Sequence, residues 1–461
     1  MAKPKLPEDF KKQMFALLGE EEFASFAQSL DFPAKTSIRL NPQKRTNIDT
    51  PKKEILWCTD GFILEERPSF SLDPLWHSGA YYVQESSSMF IDWILRSLKI
   101  PKGVFLDMSA APGGKSTLLS SYLGNDGLLV SNEVIQSRAQ ILKENIIKWG
   151  LGNTIVTNND PEHFDDLEGL FDCVLVDAPC SGEGMFRKDP NARKEWSLDN
   201  VSLCSARQSR ILDHCGALVK GGGYLIYSTC TFNEKENEDM IGFLIEEFAF
   251  KPVRIPVKEE WGIRESNIET SEGVFYGYRF FPHQVPGEGF FVSVLKRPDD
   301  SFSLRPKRAK DFKHPYLKEI RDNDSEKLDE VTGFDGNGKF YTLNDSYFRI
   351  QKSLLPEFEL ILRSLNVRYF GTEIGKRKGG NWIPSAEWAL STLPKKEFST
   401  LSLNRKQALA FLRKEEIKLN EIPLGWILVD YEGQSLGWLK NLGNRINNYY
   451  PKEWRIRKHS D

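Results

Sequence analysis

VFLDMSAAPGGKST, residues 104–117, passes from an apolar run ending in an acid into a glycine-rich turn and then into small helix-compatible residues. That order is strand, tight turn, helix. Working outward, GLLVSNE (127–133), NTIVTN (153–158), CVLVDAP (173–179) and GYLIYSTC (223–230) are further short apolar runs. Helical patterns separate them, notably SRAQILKENIIKW (137–149) and SLCSARQSRILDHCGALV (202–219). Short apolar strands alternating with helices predict an α/β fold whose parallel sheet is covered on both faces. Beyond a helix near 235–248, VFYGYRFFPH (274–283) and GFFVSVLKR (289–297) read as two strands joined by a turn containing Pro286 and Gly287.

The flanks differ in character. Residues 1–30 place Phe10, Met14, Leu17 and Leu18, then Phe23, Phe26, Ala27 and Leu30, at helical spacing, which predicts one or two short amphipathic helices. RPDDSFSLRPKRAKDFK (297–313) reads as a charged linker, followed by a small mixed region and a final module with two Gly-Trp dipeptides. At roughly 150 residues per domain, 461 residues suggest about three domains. The expected division is an N-terminal extension over 1–78, the α/β domain over 79–298, a linker and small intermediate domain over 299–384, and a C-terminal domain over 385–461. No run approaches the roughly 18 apolar residues of a membrane span. The six cysteines form neither a disulfide framework nor a zinc-spaced cluster, so no metal is expected. A cytoplasmic protein with reduced thiols, not bound to membrane, is the expectation.

Net charge is −3, but it is unevenly spread. Residues 1–296 carry 32 Lys and Arg against 42 Asp and Glu, whereas 375–461 carry 16 against 9. A basic module on an acidic body points to a polyanionic partner.

SAAPGGKS (109–116) has the outline of a phosphate-binding loop, but Ser109 stands where such loops need their first glycine, and Pro112 removes a backbone N–H from the anion cradle. Nucleotide hydrolysis is therefore disfavoured. Acids stand at or just beyond the ends of four successive strands: Asp107, Glu133, Asp160 and Asp177. Carboxylates there suit a cationic nucleoside cofactor without a phosphate chain, S-adenosylmethionine. The 109–115 turn would lie along it, Glu133 would accept both ribose hydroxyls, and Asp160 would meet the adenine edge. Cys180 and Cys230 follow the fourth and fifth strands, and adjacent parallel strands would bring both to one edge. Cys58, Cys173, Cys204 and Cys215 read as ordinary core or surface residues without a chemical role. Thiols beside a methyl donor suit methylation of carbon 5 of a pyrimidine, in which a thiolate adds to carbon 6 and makes carbon 5 nucleophilic.

DMSAAPGGKST, SNE, DAPCSGEGMFRKDP and YSTCTFNEKENE, with YYVQESSSM (81–89) and GFFVSVL, resemble the Nop/Sun (NSUN) family of RNA cytosine-5 methyltransferases. The resemblance implies a Rossmann-like class I methyltransferase domain, with Cys230 as nucleophile, Cys180 assisting product release, and Asp177 touching the target cytosine. It implies cofactor contacts from Ser109, Ala110, Ala111, Pro112, Gly113, Gly114, Lys115, Glu133, Asp160 and Asp177. TSIRLNP (36–42) is similar to the family's N-terminal RNA-binding extension. GWILVDYEGQSLGWLKNLGNRINNYYPKEWRI (425–456) is similar to the PUA-like β domain of bacterial RsmF-like ribosomal RNA methyltransferases. A monomer acting on small-subunit ribosomal RNA, free or in an assembling subunit, follows from that likeness. The basic C-terminal segment, with Trp426, Trp438, Tyr449 and Tyr450 interleaved, independently suits RNA backbone and bases, with about half of these aromatics expected in a small β-core instead. Two other readings stay open: a DNA-type cytosine-5 methyltransferase using Cys180, and a non-catalytic RNA-binding assembly factor.

Overall fold

The computed structural model describes residues 4–44, 46, 48, 52–270, 273–305, 314–321, 328–329, 332, 334, 336–396, 398–419 and 422–458. The charged linker expected over 297–313 lies outside the described residues from 306 onward.

The central sheet is built as the apolar runs dictate. Its core strands are β1 (Val104–Asp107), β2 (Leu128–Asn132), β3 (Thr154–Thr157), β4 (Phe171–Asp177), β5 (Val219–Thr229), β6 (Gly273–Phe280) and β7 (Phe290–Lys296). Their spatial order is β3-β2-β1-β4-β5-β7-β6. The first five are parallel, while β7 runs antiparallel between β5 and β6. Val174, Leu175 and Val176 are all fully buried, because helices cover both faces of β4. One covering helix is Leu198–Leu218, whose Ser197 side chain accepts from the Asn200 N–H. It buries Val201, Cys204, Gln208, Ile211, Leu212, Cys215 and Leu218, a stripe at three- and four-residue spacing.

Besides the two-residue Lys251–Pro252 paired with β7, two longer strands extend the sheet beyond the sequence expectation. Arg264–Thr270 pairs with β6, and Val367–Phe370, from far along the chain, pairs antiparallel with the outer edge of β3. The second explains where the edge of a parallel sheet goes: its free N–H and C=O groups are paired by a returning segment.

The N-terminal residues form two helices, Glu8–Leu18 and Glu20–Ser29, joined at Gly19 with φ +78°. Phe10 and Phe26 are fully buried against Phe186, Trp196, Phe232 and Phe281. The buried Arg193 guanidinium ties this hairpin down, donating to the Leu30 and Pro4 carbonyls and pairing with Asp31. Phe186 and Phe232 lie on the loops that follow β4 and β5, so the hairpin packs behind the site. A four-stranded sheet comes next, in the order Lys52–Ile55, Cys58–Leu64, Thr36–Leu40, Tyr81–Val83.

C-terminal to the central domain lie a five-stranded sheet (317–384) and a four-stranded sheet (399–448). The helix Ala386–Leu390 buries Trp388 against Trp438. Of the four interleaved aromatics, Trp438 and Tyr450 belong to the core, 1% and 2% exposed, the half expected there. Trp426 and Tyr449 remain partly exposed and pack edge to face at 4.5 Å. The core of so small a sheet needs large side chains, and its two long strands, Gly425–Tyr431 and Gln434–Asn441, each bury four consecutive residues.

Truncating Phe26 should therefore destabilise the protein and loosen the loops behind the site. Phe26→Ala is expected to cost about 3–5 kcal/mol in denaturant unfolding. An unchanged midpoint would show that the hairpin does not support the core.

Candidate active site

Strands β4 and β5 lie side by side with Asp177 opposite Ser228, so both chains leave the sheet at the same level. The exits are Ala178–Ser181 and Cys230–Asn233. They bring the Cys180 and Cys230 sulfurs to 3.1 Å, within hydrogen-bond contact. The Gly184 N–H donates to the Cys230 carbonyl at 2.8 Å, and a Cβ on residue 184 would stand 2.8 Å from that same oxygen. Only glycine permits the two loops to approach so closely. Cys180 and Cys230 are half-buried, while Cys58, Cys173, Cys204 and Cys215 are buried. The Cys180 thiol is held well above the ordinary range by its hydrogen bond to Cys230, by burial, and by the charges of Cys230 and Glu236.

Beside the sulfurs, Ser228 Oγ donates to Asp177 Oδ1 at 2.8 Å and Lys115 Nζ meets Asp177 Oδ2 at 2.7 Å. Burial alone would lower the Lys115 pKa, but the carboxylates of Asp177 and Asp107 outweigh it and hold the ammonium above its usual value. Asp107, at the tip of β1, is fully buried. Ser116 Oγ donates to its Oδ2 at 2.6 Å, while Oδ1 is buried with no partner among the described residues. Burial pushes the Asp107 carboxyl up to about 7, the Ser116 bond opposing and the Asp177 charge adding to the rise.

An open cleft collects part of the expected set. Asp107, Ser109, Ala110, Ala111, Pro112, Gly114, Lys115 and Asp177 line it, joined by Tyr82, Gln84, Glu85, Ser88 and Lys188. Gly113 instead caps the helix Gly114–Leu123 at φ +114°, where a Cβ would come within 3.2 Å of Leu142. Glu133 and Asp160 stand outside the lining. The Glu133 carboxylate accepts from the Ile135 N–H at 2.9 Å and lies 3.4 Å from Arg138, whose other nitrogen donates to the Ala111 carbonyl at 2.8 Å. Asp160 is held by both terminal nitrogens of Arg210, each at 3.2 Å.

Arg138 and Arg210 were not singled out from the sequence, because a lone arginine on a helix carries no pattern. Arg39, from TSIRLNP, is another such residue. It is buried, donates to Gln84, Thr117 and the Gly114 carbonyl, and stacks over Trp149. It fastens the N-terminal sheet to the helix that opens the cofactor turn.

Three family models match successive parts of the chain. The N-terminal domain of 16S rRNA methyltransferase RsmF matches residues 6–86, 16S rRNA methyltransferase RsmB/F matches 99–296, and the methyltransferase RsmF PUA domain matches 398–456. Among relatives, the ribosomal RNA small subunit methyltransferase F of Erwinia tasmaniensis is 30% identical over 97% of this chain and 96% of its own. This chain belongs to the ribosomal RNA small subunit methyltransferase F family. The protein of the same name from Shewanella piezotolerans is 31% identical over 96% and 95% of the two chains. A methyltransferase homologue from Pyrococcus horikoshii superposes with a TM-score of 0.50 at 25% identity, covering 63% of this chain and all of its own. NSun6 from Pyrococcus horikoshii, solved with the S-adenosylmethionine analogue SFG, shares the fold at 20% identity and a TM-score of 0.54, over 64% and 99% of the two chains.

Members of this methyltransferase F family use S-adenosylmethionine, and the residues present fit it. The partnerless Asp107 oxygen and the carboxylate of Asp177 favour a cation. Lys115, the residue a phosphate chain would need, is already paired with Asp177. Among the described residues no cluster of His, Cys, Asp and Glu could hold a metal ion, and no helix is long and apolar enough to cross a membrane.

The Asp107 carboxyl yields a pH-dependent expectation. At pH 6 a group titrating near 7 is mostly protonated, and a cationic ligand beside it favours the carboxylate. Cofactor binding should therefore release a proton at pH 6 and none at pH 9, where Asp107 is already ionised. Titration calorimetry in buffers of different ionisation enthalpy reads this directly. Heats independent of buffer at pH 6 would remove Asp107 from the cofactor's surroundings.

Proposed function

We propose that this protein methylates carbon 5 of cytosine in small-subunit ribosomal RNA, acting as a single chain with Cys230 as the nucleophile. The observation that carries this reading is the pair of sulfurs 3.1 Å apart, beside the Lys115–Asp177 pair at the mouth of the cofactor cleft. The names of the relatives support the small-subunit RNA as substrate.

The target base must leave its stack to reach a crevice between β4 and β5. The Cys230 thiolate gives its electron pair to carbon 6, and the carbon 5–carbon 6 π pair moves onto carbon 5 and the ring. As negative charge spreads over the ring N3 takes up a proton from water, and the new N3–H donates to the Asp177 carboxylate, which the Lys115 ammonium holds in place. S-adenosylmethionine, when bound, supplies the electrophilic methyl group that carbon 5 takes. Bonding the Cys230 sulfur to carbon 6 removes the hydrogen bond and charge that raise the Cys180 thiol. Cys180 then loses its own proton to water and, as thiolate, takes the proton from carbon 5. The electrons of that C–H bond restore the carbon 5–carbon 6 double bond, the carbon–sulfur bond breaks, and Cys230 departs as thiolate.

Glu133 is proposed to accept the ribose hydroxyls, with the Arg138 contact to it giving way, and the backbone from Ser109 to Lys115 to lie along the cofactor. Asp160 reaches the adenine edge in this reading only while shared with Arg210. The extension over 1–78 and the domain over 385–461 hold RNA on either side of the catalytic domain. A DNA-type enzyme would need Cys180 as nucleophile and leave Cys230 idle. The shared mouth of the two thiols favours a division of labour instead, and it gives an assembly factor no reason to keep both.

Two experiments test the assignments. Glu133→Ala should weaken cofactor binding by about 1–3 kcal/mol, through loss of charge-assisted hydrogen bonds; unchanged affinity in calorimetry would clear Glu133 of that role. With labelled RNA and cofactor on a denaturing gel, Cys180→Ala should give a slow protein–RNA band, Cys230→Ala none, and the double variant none. A band from Cys230→Ala that depends on Cys180 would reverse the assignment. Intact methylation in both single variants, without a band, would sink the thiolate route.

A further inference from the structure

The two cysteine loops are joined by more than their sulfurs. Glu236, on the loop after Cys230, accepts from the Ser181 N–H at 2.8 Å and from Ser181 Oγ at 2.5 Å, and Ser181 directly follows Cys180. Glu183, on the loop after Cys180, accepts from the Phe232 N–H at 2.9 Å, two residues beyond Cys230. Each loop thus lends a carboxylate to the backbone of the other. Gln208 and Trp196 also donate, to Glu236 and Glu183 at 3.2 Å and 3.0 Å, and the Thr231 hydroxyl, next to Cys230, bonds to both carboxylates.

Both carboxylates are essentially without solvent contact, Glu183 1% and Glu236 0% exposed, and neither forms an ion pair among the described residues. Burying a carboxylate with only neutral donors around it is a costly way to satisfy two amides, which a carbonyl would serve equally well. Burial accordingly pushes Glu183 up to about 6 and raises Glu236, with the hydrogen bonds to each opposing the rise. What carboxylates add is two acceptor oxygens each, able to span two chains, and in Glu236 a charge that faces Cys180.

We propose that Glu183 and Glu236 are positioning residues, a reciprocal latch that holds Cys180 against the Cys230 sulfur and thereby sets the rate at which the RNA adduct is resolved. The proposal rests on the thiol roles given above. The latch touches neither the cofactor cleft nor the Lys115–Asp177 pair, so methyl transfer keeps its groups when either arm is cut; the Glu236 arm grips Ser181 beside Cys180, whereas the Glu183 arm grips Phe232 on the Cys230 loop, and cutting that arm slows addition as well. Resolution suffers from either cut, because the Cys180 sulfur must reach carbon 5 while Cys230 is bonded to carbon 6. Loosening Ser181 moves the residue next to it.

Rapid-quench kinetics on the full-length enzyme with labelled RNA tests this, comparing Glu236→Gln, Glu183→Gln and Ser181→Ala with wild type and with Cys180→Ala. Gln keeps the size of each side chain but presents an NH2 group to donors. Ser181→Ala removes one hydroxyl and no carboxylate, which makes it the mildest cut. The expected result is a first-turnover methylation burst near wild type in Glu236→Gln and a slowed burst in Glu183→Gln, a steady-state rate reduced about tenfold in both, and a protein–RNA band that accumulates during turnover. Ser181→Ala should show the Glu236→Gln pattern in weaker form, and cofactor affinity should be unchanged in all three. General destabilisation would instead lower burst, steady state and cofactor affinity together and would produce no band. That parallel loss, or wild-type turnover in all three variants, would overturn the latch if Cys180→Ala does accumulate the band. Absence of the band in Cys180→Ala itself would overturn the thiol roles, and the latch's part in resolution with them.

Discussion

The register between β4 and β5 is the constraint on which the site depends. Because the strands are parallel and adjacent, Asp177 and Ser228 end level, and the residues that follow emerge over a single crevice. A slip of one residue would turn Asp177 to the opposite face of the sheet and separate the two sulfurs. Everything around the crevice serves to hold that register beyond the ends of the strands, where no ladder of backbone bonds remains. The glycine at 184, the Ser228–Asp177 bond and the aromatic packing of the N-terminal hairpin each do so from a different side.

The electrostatics divide the crevice into two compartments. On one side lie Asp107, Asp177 and Lys115, where Asp177 pairs with the ammonium and one Asp107 oxygen has no partner among the described residues. On the other lie the thiols, walled by two buried glutamates that carry no cation. In the proposed reaction the electrophile occupies the first compartment and the nucleophile the second, with the target base between them. The Lys115–Asp177 pair stands at the boundary, where it can respond to charge on the ring without neutralising the sulfur.

Much of this was legible in the sequence, for reasons that can be stated. Strands such as VFLD and CVLVDAP are unbroken apolar runs, and their limits fall within two residues of the observed ones because acids, glycines and prolines end them. The two cysteines, the strand-end acids and the glycine-rich turn share a position relative to those strands, and that position is what made them readable. Glu183 and Glu236 were not readable, since glutamates in a charged loop look like solvated surface until the fold encloses them. Arg210 on Asp160, and Arg138 between Glu133 and Ala111, depend on helices meeting strand ends from across the sheet, which no local pattern announces. The C-terminal aromatics suited a binding surface and a small β-core at once, and composition could not say which residue did which; the fold assigns Trp438 and Tyr450 to the core.

The strand Val367–Phe370 has a bearing on how the chain is made. It closes the β3 edge of the catalytic sheet, yet it follows β3 by some two hundred residues. During synthesis, Thr154–Thr157 and the rest of the parallel sheet emerge long before their neighbour does. Until then the sheet ends in an open row of unpaired amides and carbonyls, the kind of edge that recruits a strand from another chain. The C-terminal half is thus more than an appended RNA-binding module. It is the last piece of the catalytic domain to arrive, and a chain interrupted before residue 370 would carry both cysteines on a sheet still open to aggregation.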